Sequence, residues 1–366
     1  MVKPSLKQCC LWFAVLMFAI AQGQAQQKRY VVIDQDEAGP AGTDMNATLV
    51  FVNSPNVDVL GITVLTGDAW RDEEVAHTLR LLELVGRTDI PVVPGSEEPM
   101  IRTKQWTAGW EHLYGKIPYE GAWSSPASSH DPGVVPYMPE GRPTTKPAKE
   151  NAANFLIRMV HEHPHQVTIY AAGPMTDVAE AILLDPTFAS TAQELVMMGG
   201  SLNPHTDDPE FVDNPRHEFN LWFDPEASSI VLHAPWAKIV TTTVDVSVKT
   251  KLTEEMIHEI GKSREPAARY IARYTDHPSS YLWDELAAAA WLDPSLITRE
   301  RYVYMDVSLD RGISYGNTLT WSESDKPPLT LQKVHAQMDV DWPRFKKMFI
   351  GLMSAPTPHS VNPLMP

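Results

Sequence analysis

The residues best suited to do chemistry are carboxylates that follow apolar, β-branched runs. After Tyr30–Ile33 the chain reads Asp34-Gln35-Asp36-Glu37-Ala38-Gly39-Pro40-Ala41-Gly42-Thr43-Asp44, and after Val59–Leu65 it reads Gly67-Asp68. After Leu195–Met198 a polar stretch runs through Asp213, Asn214, Glu218 and Asn220 to Asp224-Pro225-Glu226. A further acid pair, Asp284-Glu285, interrupts an otherwise apolar helix start beside Trp283. Carboxylates on glycine-rich loops at strand ends can converge on a hard cation such as Ca²⁺ or Mg²⁺, which takes oxygen ligands. Each also has an ordinary structural use: Asp34 serves equally well as a hydrogen-bond anchor for its loop, and Asp44 as a helix cap. Their joint placement, more than any one residue, points to a site.

That placement follows from the elements the sequence implies. Apolar runs of strand length alternate with helical patterns: Tyr30–Ile33 then Asp44–Val52, Val59–Leu65 then Arg71–Leu84, Val167–Ala171 then Thr176–Leu184. Strand, helix, strand in that order predicts an α/β fold with a Rossmann-like core, a mostly parallel central sheet flanked by helices. In such sheets ligands bind beyond the carboxyl ends of the strands, where these carboxylates fall. Leu195–Met198 and Lys238–Val244 are further strand candidates, and Pro225–His233, Glu254–Lys262 and Tyr281–Trp291 further helices. From Arg301 to Val340 the alternation predicts a small antiparallel extension, before an amphipathic segment at Trp342–Met353. No repeat or linker divides the chain, so residues 26–366 are expected to form one large domain. Residues 94–147 carry Trp106, Trp110, Tyr114, Tyr119 and Trp123 among Gly, Pro and Ser, and read as a surface excursion or a lid over the site.

Composition limits the partners. With 30 Lys+Arg against 46 Asp+Glu the formal charge is −16 and no basic run interrupts it, so the expected partner is a small molecule or a cation, with no nucleic acid and no anionic membrane surface. Lys3 and Lys7 precede an uncharged run from Leu11 to Ala21 and then Gly23-Gln24-Ala25, the pattern of a secretory signal peptide cut after Ala25. The run is too short to cross a bilayer comfortably, so no stable membrane anchor is expected after cleavage. The mature chain is expected to be exported, periplasmic or secreted. It carries no cysteine, since Cys9 and Cys10 precede the run, and disulfides and thiolate metal sites are excluded.

In order and spacing these motifs resemble the inosine-uridine-type nucleoside hydrolases, a family of Ca²⁺-dependent N-ribohydrolases, over about Arg29 to Met353. Ile33-Asp34-Gln35-Asp36 with Gly42-Thr43-Asp44 is similar to the family's aspartate cluster after strand one, and Leu60-Gly61-Ile62-Thr63 with Gly67-Asp68 to its second strand. Ala172-Gly173-Pro174-Met175-Thr176-Asp177 resembles its Gly-Pro-Leu-Thr-Asn turn, and Met198-Gly199-Gly200 with Glu218-Phe219-Asn220 its Met-Gly-Gly and Glu-Phe-Asn motifs. Asp284 falls where the family keeps its distal metal aspartate. The resemblance implies that Asp36, Asp44 and Asp284, with the backbone carbonyl of Ala172, ligate Ca²⁺, and that Asp36 or Asp44 is the general base for a water attacking the anomeric carbon. It further implies that Glu218 and Asn220 hold the 5′ side of the sugar and Asp68 a ribose hydroxyl. Asn214 stands nearest to the family's asparagine upstream of Glu-Phe-Asn, at a shorter spacing, and Trp283 offers a surface on which a base stacks. The implied substrate is a ribonucleoside or related N-riboside, cleaved through an oxocarbenium-like transition state; a homo-oligomer stays open.

Departures from the family pattern bear on the substrate. Where the family has two adjacent aspartates, Asp44 is followed by Met45, in a loop lengthened by Glu37 to Ala41, and Glu37 is expected to face solvent. Trp283 occupies a position where the family often has a histidine that protonates the leaving base, so His112, His130 and His217 are the candidate replacement acids. Trp106, Trp110 and Trp123 are expected to fasten the long loop, and His161, His163 and His165 to form a solvated turn. Two other functions compete. One is a binding protein that keeps the sugar and metal pocket without turnover, motivated by Met45 and Trp283. The other is a haloacid-dehalogenase-like phosphatase using Asp34-x-Asp36, for which no downstream lysine or second acidic motif can be placed.

Overall fold

A computed structural model describes residues 28–124, 130–275 and 278–358, so the expected signal peptide over residues 1–25 lies outside the described residues. Among them nine strands form one sheet: β1 Arg29–Gln35, β2 Val57–Val64, β3 Val92–Pro94, β4 Val167–Ala171, β5 Glu194–Met198, β6 Ile239–Thr242, β7 Ile297–Val307, β8 Thr318–Trp321 and β9 Lys333–Val340, in the order β3-β2-β1-β4-β5-β6-β9-β7-β8. The strands from β3 across to β9 pair in parallel, and β7 is antiparallel to both β9 and β8. The expected antiparallel extension is therefore an edge of the main sheet, since β9 returns beside β6 and β7 is added outside it.

Every residue of β4 and β5 is buried, which is why these strands read as continuous apolar runs. One apolar layer joins the sheet to helices Thr43–Val52, Arg71–Val85, Trp283–Leu292 and Trp342–Ser354; the other joins it to Ala152–Glu162, Thr176–Leu184 and Pro225–His233. Burying each large aliphatic side chain in these layers contributes about 1.5–3 kcal/mol before the entropy cost of ordering it. The strand order reverses at β1, with β2 and β3 to one side and β4 and β5 to the other. Connections leaving in opposite directions open a crevice beyond the carboxyl end of β1. Two helices that pack on one another, Thr43–Val52 and Trp283–Leu292, start at this crevice with Asp44 and Asp284 in their first turns. The unpaired N–H groups of a helix start favour negative charge there. The buried run Ala287–Ala290 has small side chains that let the two helices lie close.

A pair of buried carboxyls stitches the floor beneath the crevice. Asp34, the penultimate residue of β1, accepts from the Thr63 hydroxyl at 2.5 Å and faces Asp177, whose Oδ1 accepts from the Ser96 N–H at 2.8 Å and hydroxyl at 2.6 Å. Asp34 thus acts as an anchor. Burial, reinforced by the charge of Asp177, holds Asp34 well above the usual carboxylate range, and burial raises Asp177 as well. A carboxyl whose pKa is raised on folding binds its proton more tightly in the folded chain, so stability falls as pH climbs above ~4, where the unfolded chain ionises. Asp177→Asn removes one such group while keeping an acceptor for Ser96. It should lose less stability than the parent between pH ~4 and neutrality, by on the order of 1–3 kcal/mol. Urea unfolding of both proteins across that range is the check, and parallel stability curves would contradict the assignment.

Candidate active site

Asp36 leaves the carboxyl end of β1 between the loops that follow its two neighbours in the sheet. A Cβ at Gly67 would come within 2.0 Å of Asp36 Oδ2, and one at Gly173 within 2.7 Å of Oδ1. The loops after β2 and β4 therefore close on this carboxylate because both positions lack a side chain. The Asp68 N–H donates to Asp36 Oδ2 at 3.0 Å. Gln35, the last residue of β1, donates Nε2 to Asp44 Oδ1 at 3.3 Å and to Asp284 Oδ2 at 3.1 Å. The Thr43 hydroxyl donates to Glu285 Oε2 at 2.5 Å and accepts from the Asp284 N–H at 3.5 Å, which ties the two helix starts together. Across the crevice the Glu218 carboxylate accepts from the N–H groups of Gly200, Asn220 and Leu221 at 2.9–3.0 Å. Asn220 Nδ2 donates to the carbonyls of Ala172 and Met198, each at 3.2 Å.

These groups surround one cavity of about 470 Å³, within the usual range for small-molecule sites. Asp36, Asp44, Asp68, Ala172, Glu218, Asn220, Trp283 and Asp284 all line it. Asn214 does not. It ends the short helix Pro209–Asp213 and its Oδ1 accepts from Asn317 Nδ2 at 3.4 Å, so the shorter spacing leaves it turned toward the start of β8. Glu37 does not face solvent: it is fully buried and accepts from the Thr48 hydroxyl, because the lengthened loop folds it back onto the helix that follows. Met45 is fully buried in the core, and Thr43 is the neighbour of Asp44 that faces the cavity.

The candidate histidines do not line the cavity either. His112 is exposed, and His130 Nε2 meets Glu73 Oε2 at 3.0 Å. His217 is buried against Trp222, and burial, with the Arg102 charge, pushes it down to about 3, so its ring is neutral and is no acid at pH 7. The lid tryptophans fasten their segment: Trp106 packs on Tyr315, Trp110 Nε1 donates to the Gly312 carbonyl at 2.9 Å, and Trp123 lies on Phe223. In the expected solvated turn His161 is exposed and pairs with Asp185 at 2.6 Å, while His163 packs on Tyr30. Sequence reasoning missed Thr43, Asp208, Glu210, Phe211 and Tyr281, all in the cavity wall, where Tyr119 of the expected lid also stands. Most lie on loops or very short helices without an apolar period. Thr43 was findable, because the spacing Met45, Leu49, Val52 marks the core face of its helix and leaves Thr43 off it.

Among the described residues the lining contains no Lys, Arg or His. Burial, then repulsion from Asp68 and Asp44, holds Asp36 well above the usual carboxylate range, and burial with the Asp44 charge does the same to Asp284 and Asp68. Behind them Glu285 is pushed up to about 8 by burial in spite of its Thr43 partner. The side chains of Asp44 and Asp284 lie within hydrogen-bond reach of each other, an approach that two ionised carboxylates sustain only with a shared proton or a cation. Among the described residues no donor reaches Asp284 Oδ1. An all-oxygen, negatively charged donor set without a counter-charge fits a hard divalent cation. The side chains alone do not close a cage, since no three His, Cys, Asp or Glu among the described residues cluster tightly enough to hold an ion. Ala172's carbonyl and oxygens from outside the protein are needed to complete the sphere. Because Met45 sits in the core, Met45→Asp should destabilise the protein by on the order of 2–4 kcal/mol without strengthening cation binding. Denaturant unfolding with calcium titration checks this, and a tighter-binding variant would put that side chain in the cavity.

The description "Inosine-uridine preferring nucleoside hydrolase" belongs to a family model that matches residues 31–347. The chain is 29% identical over 343 residues to "Probable uridine nucleosidase 2" of Arabidopsis thaliana, covering 88% of this chain and 97% of that one. It is 30% identical over 300 residues to "Uridine nucleosidase 1" of the same plant, covering 79% and 81%. The solved structure of a plant nucleoside hydrolase matches with a TM-score of 0.69 at 25% identity, covering 90% of this chain and 99% of that one.

Proposed function

The chain belongs to the inosine-uridine preferring nucleoside hydrolase family and is an enzyme of that class, and from that premise we propose its particular reaction: hydrolysis of the N-glycosidic bond of ribonucleosides or related N-ribosides by an exported protein, with Ca²⁺ as the divalent ion the family uses. The observation that carries this reading is the convergence of Asp36, Asp44, Asp284 and the Ala172 carbonyl on one cavity opposite Glu218 and Asn220. An oxygen-only donor set suits Ca²⁺, whose open sphere of about 6–8 ligands leaves room for the hydroxyls of a ribose. We also infer one domain over residues 26–366, exported by cleavage after Ala25; N-terminal sequencing of protein recovered outside the cell tests this.

Asp36, Asp44, Asp284 and the Ala172 carbonyl would hold the ion, which when bound offsets their charge and makes a neighbouring water acidic enough to react at neutral pH. Asp36 takes the proton of the attacking water: its Oδ2 is steadied by the Asp68 N–H, whereas Asp44 is engaged by Gln35 on the far side of the cluster. The surrounding carboxylates stabilise the positive charge that grows on the sugar as the glycosidic bond breaks. Glu218, held by three N–H groups, and Asn220, held by two carbonyls, give the 5′ side of the ribose a fixed surface, and Asp68 accepts from a ribose hydroxyl.

A reducing-sugar assay on purine and pyrimidine ribonucleosides should show ribose release that disappears on chelation and returns with Ca²⁺. Asp36→Asn and Asp284→Ala should each lower kcat/KM by roughly 10²–10⁴-fold in a protein that stays folded. Activity within a few-fold of the parent in either variant would remove that residue from the reaction.

A further inference from the structure

The end of the cavity away from the ion ligands lacks, among the described residues, a histidine to protonate a departing base. Trp283 has no acidic proton to give, and among the described residues no His, Lys or Arg lines the wall. What does line this end is aromatic and acidic. Trp283 meets Phe211 edge-on at 5.8 Å and Tyr281 at 4.9 Å. Asp208 and Glu210 come from the same segment as Phe211, and the Tyr281 hydroxyl is hydrogen-bonded to Asp208 and Thr206. Asp208 caps its short helix through the Glu210 N–H at 3.1 Å, and Glu210 Oε1 has the neutral His217 ring 3.7 Å away. The face of Tyr281 already attracts a cation from outside the cavity, the Lys251 ammonium, 4.8 Å from the ring centroid.

We propose that this pocket is built for N-ribosides whose base is a positively charged heteroaromatic ring, such as a pyridinium or an N-alkylated purine. The inference rests on the N-ribohydrolase reading above and names its substrate class. A cationic ring satisfies each feature of this end at once. Its charge lies against the π faces of Trp283 and Phe211 and beside the carboxylates of Asp208 and Glu210, where no Lys, Arg or His among the described residues lines the wall. It also removes the need for an acid. When the C1′–N bond of such a riboside breaks, the bonding pair passes to the ring nitrogen and cancels its positive charge, so the base departs as a neutral molecule. The water oxygen forms the new bond to C1′ and its proton goes to Asp36; ribose, neutral base and one proton are the products. A neutral purine or pyrimidine would leave as an anion toward Asp208 and Glu210 and would have to draw its proton from one of these carboxyls, whereas a cationic ring needs none. Burial and the charges of Asp208 and Glu218 push Glu210 up to about 7, so near neutrality it ionises more readily once a cation is beside it.

The test compares nicotinamide riboside, a pyridinium, with uridine and inosine as substrates of the Ca²⁺-loaded enzyme, and N-methylnicotinamide cation with neutral nicotinamide as ligands of the protein by calorimetry. The pyridinium riboside should exceed both neutral nucleosides in kcat/KM by roughly tenfold or more, and the methylated cation should bind roughly tenfold more tightly than nicotinamide. Glu210→Gln and Trp283→Leu should each shrink both ratios by roughly three- to tenfold. Uridine or inosine turned over as well as the pyridinium riboside, or equal binding of the two ring ligands, would overturn the inference while leaving the N-ribohydrolase reading in place. If no riboside were cleaved, that reading would fail by itself, and the binding ratio would then decide whether this wall selects cations.

Discussion

Like charges held together out of water are the constraint on which this structure turns. Asp36, Asp44 and Asp284 are each at most 3% exposed, and two ionised carboxylates 4 Å apart repel by roughly 4 kcal/mol at an effective dielectric of 20. The chain offsets this with directed donors, with helix starts and with retained protons. The Asp68 N–H and the Gln35 amide reach the cluster from two sides, and Asp44 and Asp284 stand in the first turns of their helices. Burial, together with the remaining repulsion, raises the pKa values of Asp36, Asp68 and Asp284. Two apolar layers, one on each face of the sheet, keep the cluster from relaxing outward.

The same constraint propagates to a second tier of acids. Glu285 leans on Thr43 and Asn46, Glu37 on Thr48, Glu74 on the Ala69 N–H, and the Asp34–Asp177 pair on Thr63 and Ser96. Each contact joins a helix to another helix or to a loop, or a strand to its neighbour. Where the core near the crevice lacks apolar side chains, polar contacts hold the geometry instead, and each is sensitive to the loss of one partner. A site built this way is oriented before anything binds, which is what stabilising a developing positive charge requires.

Much of this was legible in the sequence because strand ends are marked by composition. Apolar runs closed by Asp36, Asp68 and Ala172-Gly173 located the carboxyl edge of the sheet, and the family resemblance supplied which of these groups share a cavity. What stayed hidden depends on non-local packing. Pairing of β9 with β6 ahead of β7 is a choice made across the whole sheet, and no local pattern encodes it. Glu37 looked solvent-facing because its partner, Thr48, lies a full turn into the next helix. Met45 looked like a lost ligand because adjacency in sequence was taken for adjacency in space, whereas the first turn of the helix sends Met45 inward and leaves Thr43 beside Asp44. Phe211 and Tyr281 come from a very short helix and a loop, where neither period nor spacing points at the cavity.

A single helix start divides the labour of the cavity. Asp284 faces the carboxylate cluster, and the residue before it, Trp283, faces Phe211 and Tyr281. The cluster is fixed by main-chain donors and by glycines that a side chain would displace, so few substitutions leave it intact. The aromatic end is held by contacts between side chains on segments outside the sheet, and its composition can change without moving β1. Substitutions at residues 206–211 and 280–283 can therefore reshape the aromatic end, while the geometry of the carboxylate cluster is set by the repulsion it must contain.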